Sequence, residues 1–238
     1  MGVADDFSKF KDCYNIGTDV ISSISYRYKR ITKQLNKDFR NLDSDIYNTM
    51  YVGSYGRDTA ARGISDLDVA YFLPAALFGQ YDLHLYNGQS ALLQVVRNSV
   101  RNTYPTSEVS GDGQVVVVSF TDGITFEILP CFINADGSWT YPDSNNGGTW
   151  RQCNPRAEIE AIARRSEATN RNLKHLCRMM RVWKDYNSVP ISGALIDTLA
   201  YQFLENWEYR EKSFLYHDFM ARDFLAYMMD QNRDQTYW

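Results

Sequence analysis

The stretch "DLDVAYFLP", Asp66 to Pro74, sets an acid, a leucine and a second acid at the mouth of an apolar run. Alternate residues of a strand point to the same side, so Asp66 and Asp68 project together while Leu67 and Val69 enter a core. Two carboxylates side by side repel, and a hard divalent cation with oxygen ligands is the usual remedy. A second apolar stretch, "QVVVVSFTDGITFEILPCF", reads as two strands joined by a hairpin turn at Asp122-Gly123. Its second strand carries Glu127 between Phe126 and Ile128, a charge in an otherwise apolar run. Asp66, Asp68 and Glu127 together have the chemistry to hold two Mg²⁺ (or Mn²⁺) ions. Such a pair aligns an attacking hydroxyl with a nucleotide α-phosphate and stabilises the departing pyrophosphate. Gly53-Ser54, separated from Asp66 by eleven residues, adds a turn whose glycine admits backbone N–H groups to a phosphate and whose serine hydroxyl can donate to it. A DxD alone reads as a turn or a solvated edge; the ordered combination points to nucleotidyl transfer.

The rest of the chain supplies a frame for these residues. Ile21, Ile24, Tyr28, Ile31, Leu35 and Phe39 recur at steps of three and four and predict a long helix over 18–40. "MYVGS" reads as a short strand into a turn, and "GQSALLQVVRNSVRNTY" as a helix on Leu92, Leu93, Val96 and Val100. Residues 50–133 therefore alternate strand and helix and form a mixed sheet. After Asn154 the pattern is nearly all helical, over 155–166, 169–186, 192–208 and 214–230. The intervening 134–150, rich in Gly, Pro and Asn, reads as the crossing between a sheet lobe and a helical lobe. The expected organisation is thus a core over 1–150 and a helical lobe over 151–238.

Composition narrows the partners. With 238 residues, 44% of them hydrophobic, and a net charge of −4, the chain has ample core and no broad polyanion-binding surface, so long nucleic acid is not expected. Cys13, Cys131, Cys153 and Cys177 lie in separate segments without metal-knuckle spacing, which fits a reducing cytoplasm. The N-terminus is too charged for a signal peptide, and no apolar run approaches the ~20 residues of a membrane span. His84, His175 and His217 lack ligand spacing and read as structural or surface residues.

"GSYGRDTAARGISDLDV" followed by "FEILPCF" resembles the Pol β-like nucleotidyltransferases. Within them it is similar to the bacterial cGAS/DncV-like nucleotidyltransferases (CD-NTases, SMODS domain), especially the CdnE-like group. The resemblance continues through "NGGTWRQCNPRAEI" and "TNRNLKHLCRMMRVWKDYN" to about residue 230. It implies an α+β, Pol β-like fold: a mixed β-sheet catalytic lobe and a helical lobe, bridged by a long N-terminal helix. It also implies template-independent, metal-dependent joining of NTPs into a cyclic oligonucleotide second messenger in anti-phage (CBASS-type) defence. The enzyme is then expected to be a monomer, with a separate effector sensing the product. Relatives usually continue past the segment matching "QNRDQTYW" with further helix, so the helical lobe is expected to be shortened where the chain stops at Trp238.

The resemblance also assigns residues in the second lobe. Arg171, Lys174, Arg178 and Arg181 lie at steps of three and four beside the apolar stripe Leu173, Leu176, Cys177, Met180 and Trp183. The plain reading is a solvated basic face. In relatives a lysine on this helix and a serine starting the next hold the donor triphosphate, and Lys174 and Ser192 match them. Ser192 also stands where a helix cap belongs. Asn154, before Pro155, reads as a helix start or, by its neighbourhood, as a residue lining the acceptor-base pocket. Two alternatives stay open: a nucleotidyltransferase making linear oligonucleotides or modifying a protein or small molecule, and a nucleotide-binding pseudoenzyme.

Overall fold

The computed structural model describes residues 2–232, 234 and 235; Trp238, where the helical lobe is expected to be shortened, lies outside the described residues. The chain forms two compact units, each discontinuous in sequence. A sheet unit comprises Thr18–Gly53 and Ser65–Arg156, and a helical unit comprises the residues up to Gly17, Ser54–Ile64 and the residues from Ala157 onward.

In the sheet unit, β1 (Thr49–Tyr51), β2 (Asp66–Phe72), β3 (Glu108–Asp112), β4 (Val115–Ser119) and β5 (Thr125–Ile133) run in the order β1-β2-β5-β4-β3. β2 and β5 are parallel, and the remaining neighbours in this row are antiparallel. The mixed sheet and the β4–β5 hairpin thus form as their apolar alternation and the Asp122-Gly123 turn require. β5 is the central strand of this row, and its alternation buries Phe126 and Ile128 completely. The helices α2 (Thr18–Arg40) and α5 (Gly88–Thr103) cover the sheet; Ile24, Ile31 and Leu35 of α2 and Leu92, Leu93, Val96 and Val100 of α5 are buried. Ile21, placed on the same face by its spacing, is exposed because it lies in the first turn of α2. The short helix α4 (Ala76–Asp82) follows β2.

The 134–150 crossing is a correction. Much of it forms a further hairpin, β6 (Trp139–Asp143) and β7 (Thr149–Cys153), which extends the sheet from the end of β5. The ladder to β5 ends at Thr140, so Pro142 lies where β6 has a single neighbour and its missing N–H is tolerated. The Asn and Gly residues serve the hairpin loop, where Asn146, Gly147 and Gly148 take positive φ. Trp139, at 1% exposure, anchors the hairpin against Phe72.

The helical unit contains α1 (Val3–Tyr14) and most of α6 (Pro155–Ala168), together with α7 (Asn172–Tyr186), α8 (Gly193–Asn206) and α9 (His217–Met229). Leu173, Leu176, Cys177 and Met180 of α7 meet Ile196, Leu199, Ala200 and Phe203 of α8 and Met220 and Phe224 of α9 in one core. The 214–230 helix begins as a single 3₁₀ turn, Phe214–Tyr216, before α9.

His175 and His217 belong to this packing, their ring centroids 5.5 Å apart. Tyr14 Oη lies 2.8 Å from His175 Nδ1, and Asn172 Oδ1 lies 3.0 Å from His217 Nε2. Burial first, then the charge of Lys11 and, for His175, that of its partner ring, Arg178 and Arg171, pushes both imidazoles down to about 4. In the unfolded chain they titrate near ~6.5. As pH falls from about 6.5 towards 4 the unfolded state gains protons that the native state refuses, so stability present at neutral pH is lost across that window. NMR titration of the folded protein should show both rings neutral at pH 5.5; a midpoint near 6.5 for either would refute this.

Candidate active site

The parallel register of β2 and β5 sets Asp68 directly beside Glu127 and Leu67 beside Phe126. Strand alternation then puts Asp66, Asp68 and Glu127 on one face, while Leu67, Val69, Phe126 and Ile128 are buried on the other. Glu127 is half-buried. Burial, followed by the charges of Asp68, Asp66 and Asp112, raises its carboxyl above the usual carboxylate range. Glu127 therefore senses the charges of Asp68 and Asp66. Among the described residues no trio of His, Cys, Asp or Glu is gathered tightly enough to ligate one ion, these three included. An all-oxygen donor set of three carboxylates fits a hard divalent cation.

Gly53 has a role its sequence position does not reveal. It takes a left-handed conformation, φ +58°, and a Cβ there would lie 1.8 Å from Asp68 Oδ2. The glycine thus lets the Asp68 carboxylate sit against the backbone, in addition to any approach it allows a phosphate. Val52 N–H donates to the Asp68 carbonyl at 2.9 Å, fixing β2 beside this turn. Gly53–Gly56 is a single helical turn, α3, rather than an open turn. In the segment that follows, Ser54 accepts at its carbonyl from Thr59 N–H and Ala60 N–H, at 2.9 and 3.1 Å.

The remaining predicted residues fall as follows. Asn154 is exposed and joins β7 to α6. Ser192 is the N-cap of α8, its Oγ accepting from Leu195 N–H at 3.1 Å; the capping role is present and the hydroxyl is exposed. Lys174 lies on α7 with its Nζ 3.0 Å from Asp58 Oδ2. Its neighbours on the basic stripe are not simply solvated. Arg178 also pairs with Asp58, and Arg181 reaches into the helical unit to Asp197 Oδ2 at 2.8 Å and the Gly193 carbonyl at 3.0 Å. The Asp66, Asp68 and Glu127 set belongs to the sheet unit, and Lys174 and Ser192 belong to the helical unit.

Sequence reasoning missed the group that fastens residues 54–64 within the helical unit. One oxygen of Asp197, on a side chain only 4% exposed, accepts from Arg57 Nε at 3.1 Å, Arg181 Nη2 at 2.8 Å and Thr59 Oγ1 at 2.7 Å. Arg57 also reaches Glu158 at 3.2 Å. The sequence signal was an acid in the buried register of α8, between Ile196 and Leu199.

The sheet, with three acids on one face of two parallel strands, has the fold expected from the resemblance to the Pol β-like nucleotidyltransferases. The family model for the Second Messenger Oligonucleotide or Dinucleotide Synthetase (SMODS) domain matches residues 1–166, so the chain belongs to that family, the bacterial CD-NTases. A probable cyclic nucleotide synthase of Bacillus cereus (strain VD146) is 28% identical over 84 residues, a match that takes in 34% of this chain and 25% of that protein. The chain thus spans about a quarter of that curated relative's length. Among solved structures, E. coli MS115-1 CdnC in its complex with HORMA-deltaN superposes with a TM-score of 0.68 at 17% identity, covering 95% of this chain and 70% of that one. The Elizabethkingia meningoseptica CdnE cyclic dinucleotide synthase, solved with GTP and Apcpp, gives 0.62 at 20% identity, covering 83% and 73%. Apo Vibrio cholerae DncV gives 0.67 at 11% identity, covering 92% and 74%. These likenesses are of fold. No described helix is long and apolar enough to cross a membrane.

Proposed function

We propose that this chain joins nucleoside triphosphates, without template or primer, into a cyclic oligonucleotide second messenger. The observation that carries the reading is the register of β2 and β5, which sets Asp68 beside Glu127 with Asp66 on the same face, in a member of a synthetase family. In this reading Asp66, Asp68 and Glu127 hold two Mg²⁺ or Mn²⁺ ions, which when bound activate a ribose hydroxyl and neutralise the triphosphate. The hydroxyl oxygen of one nucleotide bonds to the α-phosphorus of another, the bond to pyrophosphate breaks, and the hydroxyl proton leaves to solvent. Gly53 gives a phosphate access to the backbone, and Ser54 donates to it. Lys174 and Ser192 hold the donor triphosphate, and Asn154 pairs with the acceptor base. A second round on the linear product closes the ring.

The biological reading follows the same family: a cytoplasmic, monomeric enzyme of anti-phage defence whose product, rather than the protein, meets an effector. Supporting it are membership of the second-messenger synthetase family and the likeness in fold to V. cholerae DncV and to the E. meningoseptica CdnE cyclic dinucleotide synthase.

Incubation with all four NTPs and Mg²⁺ or Mn²⁺ should release pyrophosphate and a small nucleotide that survives phosphatase, because a ring has no terminal phosphate. Its mass should equal that of the linked nucleoside monophosphates less one water per bond. Linear, phosphatase-sensitive products, or an NMP attached to an added protein, would replace this reading with that of another nucleotidyltransferase.

A further inference from the structure

Lys174 and Arg178 stand one turn apart on α7, a spacing at which two cations ordinarily splay into water. Here both converge on the carboxylate of Asp58. Lys174 Nζ takes Oδ2 at 3.0 Å, the Arg178 guanidinium takes Oδ1, and the same guanidinium donates to the Asp58 carbonyl at 3.0 Å. Two adjacent anionic oxygens, each on its own cation, is the way a protein grips a phosphate.

The position of Asp58 is imposed from both sides. Its neighbours Arg57 and Thr59 are both fastened to the buried Asp197. Its own φ is +58°, in the left-handed region that favours glycine and that aspartate occupies at some cost. The exposures run opposite to those of an ordinary surface pair. The Asp58 carboxylate is 60% exposed, whereas Lys174 and Arg178 are 24% and 17% exposed. The cations are recessed and the anion covers them from the solvent side.

We propose that Asp58 is a built-in competitor for the triphosphate: its carboxylate occupies the phosphate-binding cations Lys174 and Arg178, and nucleotide binding displaces it. The inference rests on the reading of Lys174 as a triphosphate ligand and adds to it a second cation, Arg178, and the residue that sets the affinity. A polyanion wins the exchange because it brings more charge to the two cations than one carboxylate does. By mass action, occupation by Asp58 weakens every ligand that needs them, the departing pyrophosphate included. Exposed ion pairs are individually weak, so the competitor is easily displaced and the effect is a tuning of affinity.

The test is calorimetric titration, with Mg²⁺ present, of Apcpp and of inorganic tripolyphosphate, which has the phosphate charge without the base. Asp58→Asn and Asp58→Gly should each tighten binding of both by about threefold to tenfold. The glycine variant also suits the left-handed backbone, so it keeps the test decisive should the asparagine variant melt early. In a Lys174→Ala, Arg178→Ala background the gain should vanish. Unchanged or weaker binding in both Asp58 variants, with Lys174→Ala still weakening the parent, would overturn the competitor and leave the reading of Lys174 standing. Parent-like affinity in Lys174→Ala would overturn both.

Discussion

Asp66→Asn combined with Asp68→Asn is expected to reduce turnover by roughly a thousandfold or more while leaving the protein folded. The loss follows from the role of the acids in the proposed reaction, since the charge stabilisation that bound divalent ions supply is worth several kcal/mol, at about 1.4 kcal/mol per tenfold in rate. The retained fold follows from the sheet. Asp66 is exposed at the start of β2, and the core contacts of this strand are made by Leu67, Val69 and the residues after it. The same logic gives the sign of the stability change. Burial and the neighbouring acids raise the Glu127 carboxyl. A carboxyl raised by folding opposes the native state at neutral pH, because there it must ionise against its neighbours. With two of those charges removed, the melting temperature without divalent ions should equal or slightly exceed that of the parent. Parent-like turnover would reject the acids as metal ligands. A large fall in melting temperature would reject the account of their repulsion.

The second large effect is on stability. Asp197→Ala removes the shared acceptor of Arg57, Arg181 and Thr59; Arg57 retains Glu158, whereas the Arg181 guanidinium, 13% exposed, loses the carboxylate it pairs with. Breaking a buried pair from one side costs about 3–5 kcal/mol because the stranded charge is not resolvated. Against a total stability of about 5–15 kcal/mol for a typical domain, that is a large share. Urea unfolding of the helical unit should show a strongly lowered midpoint. Asp197→Asn, which keeps an acceptor, should lose less. An unfolding free energy for Asp197→Ala within about 1 kcal/mol of the parent would mean that the arginines find other partners or water.

The elements that sequence reasoning located are those whose own residues decide their state. The β4–β5 hairpin carries its turn signal and its alternation within one short stretch. The β2 strand shows both its buried and its acidic face, and α2 its three-and-four rhythm. The β6–β7 hairpin was hidden because Pro142 and the cluster of Asn and Gly look the same in a linker as in a hairpin loop. The deciding fact is the pairing of Trp139 with Ile133. In α1, Phe7, Phe10 and Tyr14 have helical spacing, but so short a run is not stable alone and takes its identity from the core it joins. The candidate site divides in the same way. The acids of β2 and β5 were legible from alternation, whereas the grip of Lys174 and Arg178 on Asp58 depends on residues more than a hundred positions apart, which no local pattern encodes.

The division of the helical unit into three stretches of chain has a consequence for synthesis. Arg57 and Asp197 are 140 residues apart in sequence. At a translation rate of ~5–20 residues per second, Arg57 leaves the ribosome roughly 7–28 s before the acid that receives it. During that interval the flanking residues 18–53 and 65–156 can complete their sheet, while 54–64 remains an open loop on the nascent chain. The loop can be captured only after residue 197 has emerged, so a pause or a chaperone acting after residue 156 would bear on that capture rather than on the sheet.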